Sequence, residues 1–388
     1  ILVGLDNAIF IANKILDYKS QEIENKVRVE NSSYRDGFKI NYGVNFEHVT
    51  YTNSTFNRVA VNGQELLIDF ESRLELVRHG LFAQVSKPFF GSRWVVSLGL
   101  RTDGINYSND MNNPFNQFSP RFSSAFNFNE KFSFNANIGR YFQLPAYTVL
   151  GYRDASNNLV NKDNGLQWIR ADHAVAGFEY QFNKFFNMSL ESFYKVYDNY
   201  PFLVNDSISL ANLGGDFGVI GNEPVTSNSQ GRSYGIEFLA QQRAKKGFYG
   251  ILAYTWVKSE FQDKNGNYIP SAWDNRHIVN LTVGKSFKND WELGIRFRFS
   301  GGSPFTPFDV ETTALQSVWD VTQQAVFDWD RLNTGRTPNI HGMDIRIDKK
   351  WYLKKTLMNL YFDVQNVYGF SAELQPTLTV QRDVNGNP

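Results

Sequence analysis

The sequence predicts an all-β fold, an antiparallel up-and-down transmembrane β-barrel, and three observations carry that prediction. Apolar and polar residues alternate with a period of two along most of the 388 residues, which is the mark of strands rather than helices. Very short connections alternate strictly with long ones. Aromatic residues make up 16% of a chain whose mean hydropathy is only −0.40, so rings are plentiful in a chain that is polar on average.

Taken in chain order, "GFKINYGVNFEH" sets Phe38, Ile40, Tyr42, Val44 and Phe46 on one face. In "SRWVVSLGLRTD" that face holds Trp94, Val96, Leu98 and Leu100, with only Val95 out of phase. "KFSFNANIGRY" repeats the pattern with Phe132, Phe134, Ala136 and Ile138. In "DWELGIRFRFS" the apolar row is Trp291, Leu293, Ile295, Phe297 and Phe299, against Glu292, Gly294, Arg296, Arg298 and Ser300. "GMDIRIDKKW" opposes Met343, Ile345, Ile347 and Trp351 to Asp344, Arg346, Asp348 and Lys350, and "TLMNLYFDVQN" offers Met358, Leu360, Phe362 and Val364.

Hairpin turns are expected at 89–93, 128–132, 182–186, 243–247, 286–290 and 352–356, where the sequence is short, polar or glycine-bearing. Between them lie long connections, 108–117, 143–167, 201–229, 262–272 and 301–338. In a meander this gathers all short turns at one end and all long loops at the other, as in transmembrane barrels. In lipid the apolar face of each strand meets hydrocarbon, the polar face meets the lumen, and closure satisfies the backbone. Trp94, Phe132, Phe186, Phe248, Phe287, Trp291 and Trp351, beside the short turns, would form an interfacial girdle. A soluble sandwich or propeller would need outward rows richer in Lys and Glu and would not segregate its loops.

Composition excludes other classes. With 39 basic and 39 acidic residues there is no electrostatic footprint for nucleic acid. Cysteine is absent, so disulfides and thiolate metal sites are ruled out, and no apolar run is long enough for a transmembrane helix. His48, His79, His173, His277 and His341 are scattered without metal-ligand spacing, and neither a nucleophile elbow nor a phosphate-binding loop is present. Neither an enzyme nor a resident cofactor is expected. No linker or composition shift divides the chain, which reads as one unit over 1–388, without a starting Met or a leader.

Several motifs then point to a family. "AWDNRHIVNLTVG", "SFKNDWELGIRFRFSGGSPFTPF", "NTGRTPNIHGMDIRIDKKW" and "NLYFDVQNVYG", in that order, resemble the last strands of TonB-dependent outer-membrane receptors, particularly those of Bacteroidetes-like bacteria. "FSPRFSSAFNFNEKFSFNANIGRYFQLP" resembles a mid-barrel hairpin of the same family, and the resemblance runs from about Ser72 onward. It implies energy-coupled uptake of a scarce ligand such as a siderophore, cobalamin, glycan or peptide across the outer membrane of a Gram-negative bacterium. Implied partners are that ligand, lipid, and a TonB-type coupling protein reached through a plug. The family's barrel has about 22 strands, whereas about 14 or 15 are legible here. The sequence therefore reads as a partial barrel, without plug, early strands or final strand, whose edges would lie near 27–34 or earlier and near 361–368. A passive porin-like channel is the alternative function, and a surface adhesin or secretion-associated barrel a third.

Candidate site residues fall in two groups. Tyr147, Tyr152, Trp168, Trp319, Trp329 and Asp330 lie in the long loops, where rings and nearby polar groups suit ligand capture. Self-packing of ordered loops is the competing role. Asp274, Arg276, His277, Arg296 and Arg298 are expected at the rim or in the lumen, either along the ligand path or as structural ion pairs. Asp344, Arg346 and Asp348 read as an internal charge ladder.

Overall fold

The computed structural model describes residue 14 and residues 16–61, 64–213, 220–322, 325–373 and 375–378. Its main sheet has 16 strands. Two of these, β9 (Ile208–Ser209) and β12 (Tyr268–Pro270), pair only with a neighbour. The other 14 follow one another as an antiparallel meander: β1 (Leu16–Arg35), β2 (Phe38–Val61), β3 (Gln64–Phe89), β4 (Trp94–Ile105), β5 (Ser119–Asn127), β6 (Phe132–Gln143), β7 (Ile169–Asn183), β8 (Phe186–Leu203), β10 (Val225–Lys245), β11 (Phe248–Gln262), β13 (His277–Ser286), β14 (Trp291–Ser300), β17 (Ile340–Tyr352) and β18 (Leu357–Val364). A separate two-stranded ladder joins β15 (Pro304–Phe305) to β16 (Gly335–Arg336).

All six expected hairpin turns fall between consecutive strands. A seventh, Asp36–Gly37, has positive φ at both residues (50° and 78°), which matches the turn twist that a two-residue hairpin requires. Lys246 and Gly247 repeat it, and a Cβ on Gly247 would lie 2.4 Å from the Ser286 carbonyl oxygen.

Register assigns the faces. Leu281, Phe297 and Met343 are cross-strand partners, and Tyr42, Val44, Phe46, Leu81 and Leu98 are exposed on the same outer side. Near the short turns that side carries linked rings: Phe126 to Phe128 at 5.0 Å, Phe128 to Phe132 at 5.2 Å, and Tyr180 to Phe182 at 4.5 Å. Toward the long loops it carries Tyr194, Tyr234 and Trp256, and beyond them ion pairs such as Arg140 with Asp172 at 2.7 Å. Rings at two levels with charge beyond one of them are what two membrane interfaces ask of a barrel surface.

Strands β1, β2 and β3 have 20, 24 and 26 residues, well beyond the about 9–11 that cross a bilayer, so their upper halves stand above it. There the pattern changes phase without a bulge. In β2 the exposed apolar residues are Tyr42, Val44 and Phe46, whereas Val49 and Tyr51 point to the opposite, inner face, paired with Leu76 and Leu74. These four are the floor of a buried cluster that includes Ile105 at the end of β4 and Tyr107, Met111, Tyr147, Val149, Leu150, Leu166 and Trp168 from the loops. The long loops thus fold inward and supply the hydrophobic core that the strands, facing lipid, cannot.

Candidate functional site

The rim where β11, β13 and β14 meet the loops is organised on Asp274, whose side chain is fully buried. Its Oδ1 accepts from the Ser259 backbone N–H at 2.9 Å, and its Oδ2 accepts from Arg276 Nε at 2.9 Å and from Arg336. Arg336 also donates from Nη1 to the carbonyls of Asp274 and Gly302, at 2.6 and 2.9 Å. One carboxylate therefore ties the 263–276 loop to the 301–339 loop. Arg276 sits at a φ of 61°, a left-handed conformation disfavoured for a long side chain, and its bond to Asp274 helps hold it there. His277 belongs to the rim and not to the lumen. It is the register partner of Trp256 on the outer face, and its Nδ1 lies 2.9 Å from the Tyr254 hydroxyl.

Arg296 and Arg298 share the inner face with Glu292, where Arg298 pairs with Asp344 at 3.0 Å and Arg296 approaches the same carboxylate at 4.0 Å. Glu292 accepts from the Tyr249 hydroxyl at 2.5 Å and from Lys350 at 2.9 Å. Arg346 makes a two-pronged pair with Asp348, both contacts 2.8 Å, and Arg101 makes another with Asp103 at 2.6 and 2.7 Å. The inner wall here neutralises itself by cross-strand and same-strand ladders.

Burial divides the loop aromatics expected to meet ligand. Trp168 is only 1% exposed; its Nε1 donates to the Met111 carbonyl at 3.1 Å and the Arg78 guanidinium lies 5.4 Å from its ring. Tyr147 stacks on Tyr51 at 6.0 Å and donates its hydroxyl to Glu24 at 3.0 Å, and burial with that carboxylate beside it raises its pKa. Trp319, on the helix Gln316–Thr322, is also buried. In this conformation all three are packed inside the protein, Tyr147 and Trp168 within the cluster on the inner face of β2 and β3. Tyr152 is half-buried with its edge against Phe70 at 5.5 Å. Trp329, 38% exposed beside Phe327, and Asp330 remain open to solvent. Of the six, Tyr147 and Trp168 share one buried cluster, while Tyr152 packs on Phe70 and Trp329 on Phe327.

Two asparagines that the sequence reading did not single out hold the loops together. Asn161, fully buried, donates to the Val149 carbonyl at 2.7 Å and accepts from the Val225 N–H at 2.8 Å. Asn333 donates to the carbonyls of Asn212 and Pro270 at 2.7 and 2.8 Å, joining three loops. A short polar residue in a loop is ordinary in sequence, so only the fold reveals these two. In the 204–224 connection, burial and then the nearby Asp206 carboxylate push Glu223 up to about 7.

The chain matches the family model for the TonB dependent receptor-like β-barrel over residues 7–367, beginning earlier than the resemblance read from motifs. None of the curated proteins matches the sequence significantly. Solved structures with the same fold include the ferripyoverdine receptor of the outer membrane of Pseudomonas aeruginosa, with 14% identity, a TM-score of 0.63, and 92% of this chain and 46% of that one covered. The FrpB iron transporter of Neisseria meningitidis gives 15%, 0.60, 92% and 53%, and the unliganded ferric citrate transporter FecA gives 14%, 0.57, 92% and 50%. The chain spans about half the length of the solved structures it matches. A meander with a lipid-type outer face, an ion-paired inner face and inward-folded loops, matched over residues 7–367, makes this chain a member of the TonB-dependent receptor β-barrel family.

Proposed function

We propose that this chain is barrel wall of an outer-membrane receptor in a Gram-negative bacterium, one that takes up a scarce ligand with energy supplied through a TonB-type partner. The observation that carries the reading is the inward fold of the loops: Tyr147, Leu150, Leu166 and Trp168 pack onto inner-face residues Val49, Tyr51, Leu74 and Leu76. A passive pore depends on an open aqueous lumen, and a sealed apolar cluster on its wall works against one. A receptor instead needs an ordered mouth. In this reading the ligand is a siderophore, cobalamin, glycan or peptide, and Tyr152, Trp329 and Asp330 are its loop contacts. Arg296 and Arg298 line its path, Asp274 and Arg276 shape the rim, and the coupling protein acts through a plug that the barrel encloses.

The test uses cells expressing the full-length receptor, offered labelled ferric siderophores, cyanocobalamin, oligosaccharides and peptides in turn. Accumulation of one class above its external concentration, abolished by a protonophore, is the expected result. Equilibration of many small solutes with no effect of the protonophore would instead make the protein a pore.

A further inference from the structure

One hydrogen-bonded row on the inner face departs from the self-neutralising pattern. Gly99, Arg121, Gly139, His173, Lys195 and Ser233 are successive register partners across β4 to β10. Elsewhere on this face guanidinium groups close onto carboxylates, as Arg101 does onto Asp103, Arg346 onto Asp348 and Arg78 onto Glu47. Here they do not. The Arg121 guanidinium lies 4.4 Å from the centre of the Tyr141 ring, that ring lies 4.6 Å from His173, and Lys195 Nζ lies 5.0 Å from the Phe193 ring. Gly139 makes room, since a Cβ there would come within 3.2 Å of both Arg121 and Tyr141.

Among the described residues neither Arg121 nor Lys195 has a carboxylate partner, and Arg121 Nε is buried without an acceptor. Asp103, the carboxylate on the neighbouring strand, is already held by two prongs of Arg101. Ring faces attract a cation but do not cancel its charge. Arg121 and Lys195 therefore keep their charge uncancelled at partly buried positions, where an oxyanion would complete the hydrogen bonding.

We propose that Arg121 and Lys195, with His173 between them, form a binding site on the inner wall for a ligand carrying two or more carboxylate or phosphate groups. Three strand spacings, about 14 Å of backbone, separate the two cations. Their long side chains can converge on a multivalent anion more readily than on a single small one. The inference rests on the transport reading in taking this face as the lumen, and it deepens that reading by naming an anionic ligand class.

The experiment is calorimetric titration of the purified full-length receptor with inorganic pyrophosphate at low salt. The wild type should bind saturably, and binding should weaken as salt rises. Arg121→Gln and Lys195→Gln should each lower affinity about tenfold, the double variant should abolish it, and Arg121→Lys should keep most of it. Lys285→Gln, on the outer face, serves as the control and should match the wild type. Folding is checked by resistance of the barrel to detergent before heating. No saturable binding by the wild type, as when an acidic segment of the protein already fills the row, would overturn the proposal, as would wild-type affinity in a folded double variant. Because calorimetry needs no energy source, its failure is separate from insensitivity of uptake to a protonophore.

Discussion

Asp274 accepts from a backbone N–H and two guanidinium groups while shielded from water, so its removal leaves three donors facing one another. Both guanidinium groups are about one-third exposed and can turn to water, so the cost is that of the orphaned buried donors, about 1–3 kcal/mol. Asp274→Ala should therefore release the 301–339 loop, read as faster proteolytic cleavage there, with the strands intact. Asp274→Asn, which keeps an acceptor, should be milder; equal cleavage of Asp274→Ala and wild type would mean that the loop is anchored elsewhere. Glu223 makes a second prediction at this scale. Burial and Asp206 raise its folded-state value from 4.5 to about 7, so it is the charged form that the fold disfavours. Its loop should be fully stable below about 4.5, lose stability as pH rises toward 7, and change little above that. After correction for intrinsic exchange, the Val204 amide, which donates to the Pro224 carbonyl at 3.0 Å, should exchange faster at pH 8 than at pH 5. Glu223→Gln should remove that difference, and persistence of the difference in the variant would assign it to another group.

At the scale of elements, strand and loop carry different kinds of burial, and substitutions should separate them. On β14, Ile295→Arg places a charge on the outer face and should cost about 2–4 kcal/mol at mid-membrane. Arg296→Gln, one residue away, loses only a 4.0 Å approach to Asp344 and should be nearly neutral; the pair is compared by urea unfolding in lipid vesicles. In the loops, Trp168→Ala empties a fully enclosed site and should cost about 3–5 kcal/mol, seen as protease sensitivity of 106–118 and 144–168. Trp329→Ala should leave stability unchanged. The wall was legible because a period of two survives in each strand whatever lies around it: all six turns and both faces of β14 followed from local pattern. The loop core was not legible in that way, because which ring is covered depends on distant partners such as Trp168 on Arg78. A usable signal did exist in β2. Apolar residues move from even positions 42, 44 and 46 to odd positions 49 and 51, and such a change of phase in an unbroken strand marks where lipid ends and loop packing begins.

At the scale of the whole molecule, the meander runs from β1 to β18, and all eight residues of β18 are exposed. In this fold one face of the wall meets lipid and the other a wet lumen. The chain has no cysteine, so single cysteines can be placed at 292–298 of the full-length receptor in native membranes and probed with a water-soluble maleimide and a lipid-phase quencher. Labelling should alternate, with 292, 294, 296 and 298 reached from water and 293, 295 and 297 quenched from lipid. Uniform labelling, or alternation in the opposite phase, would contradict the account.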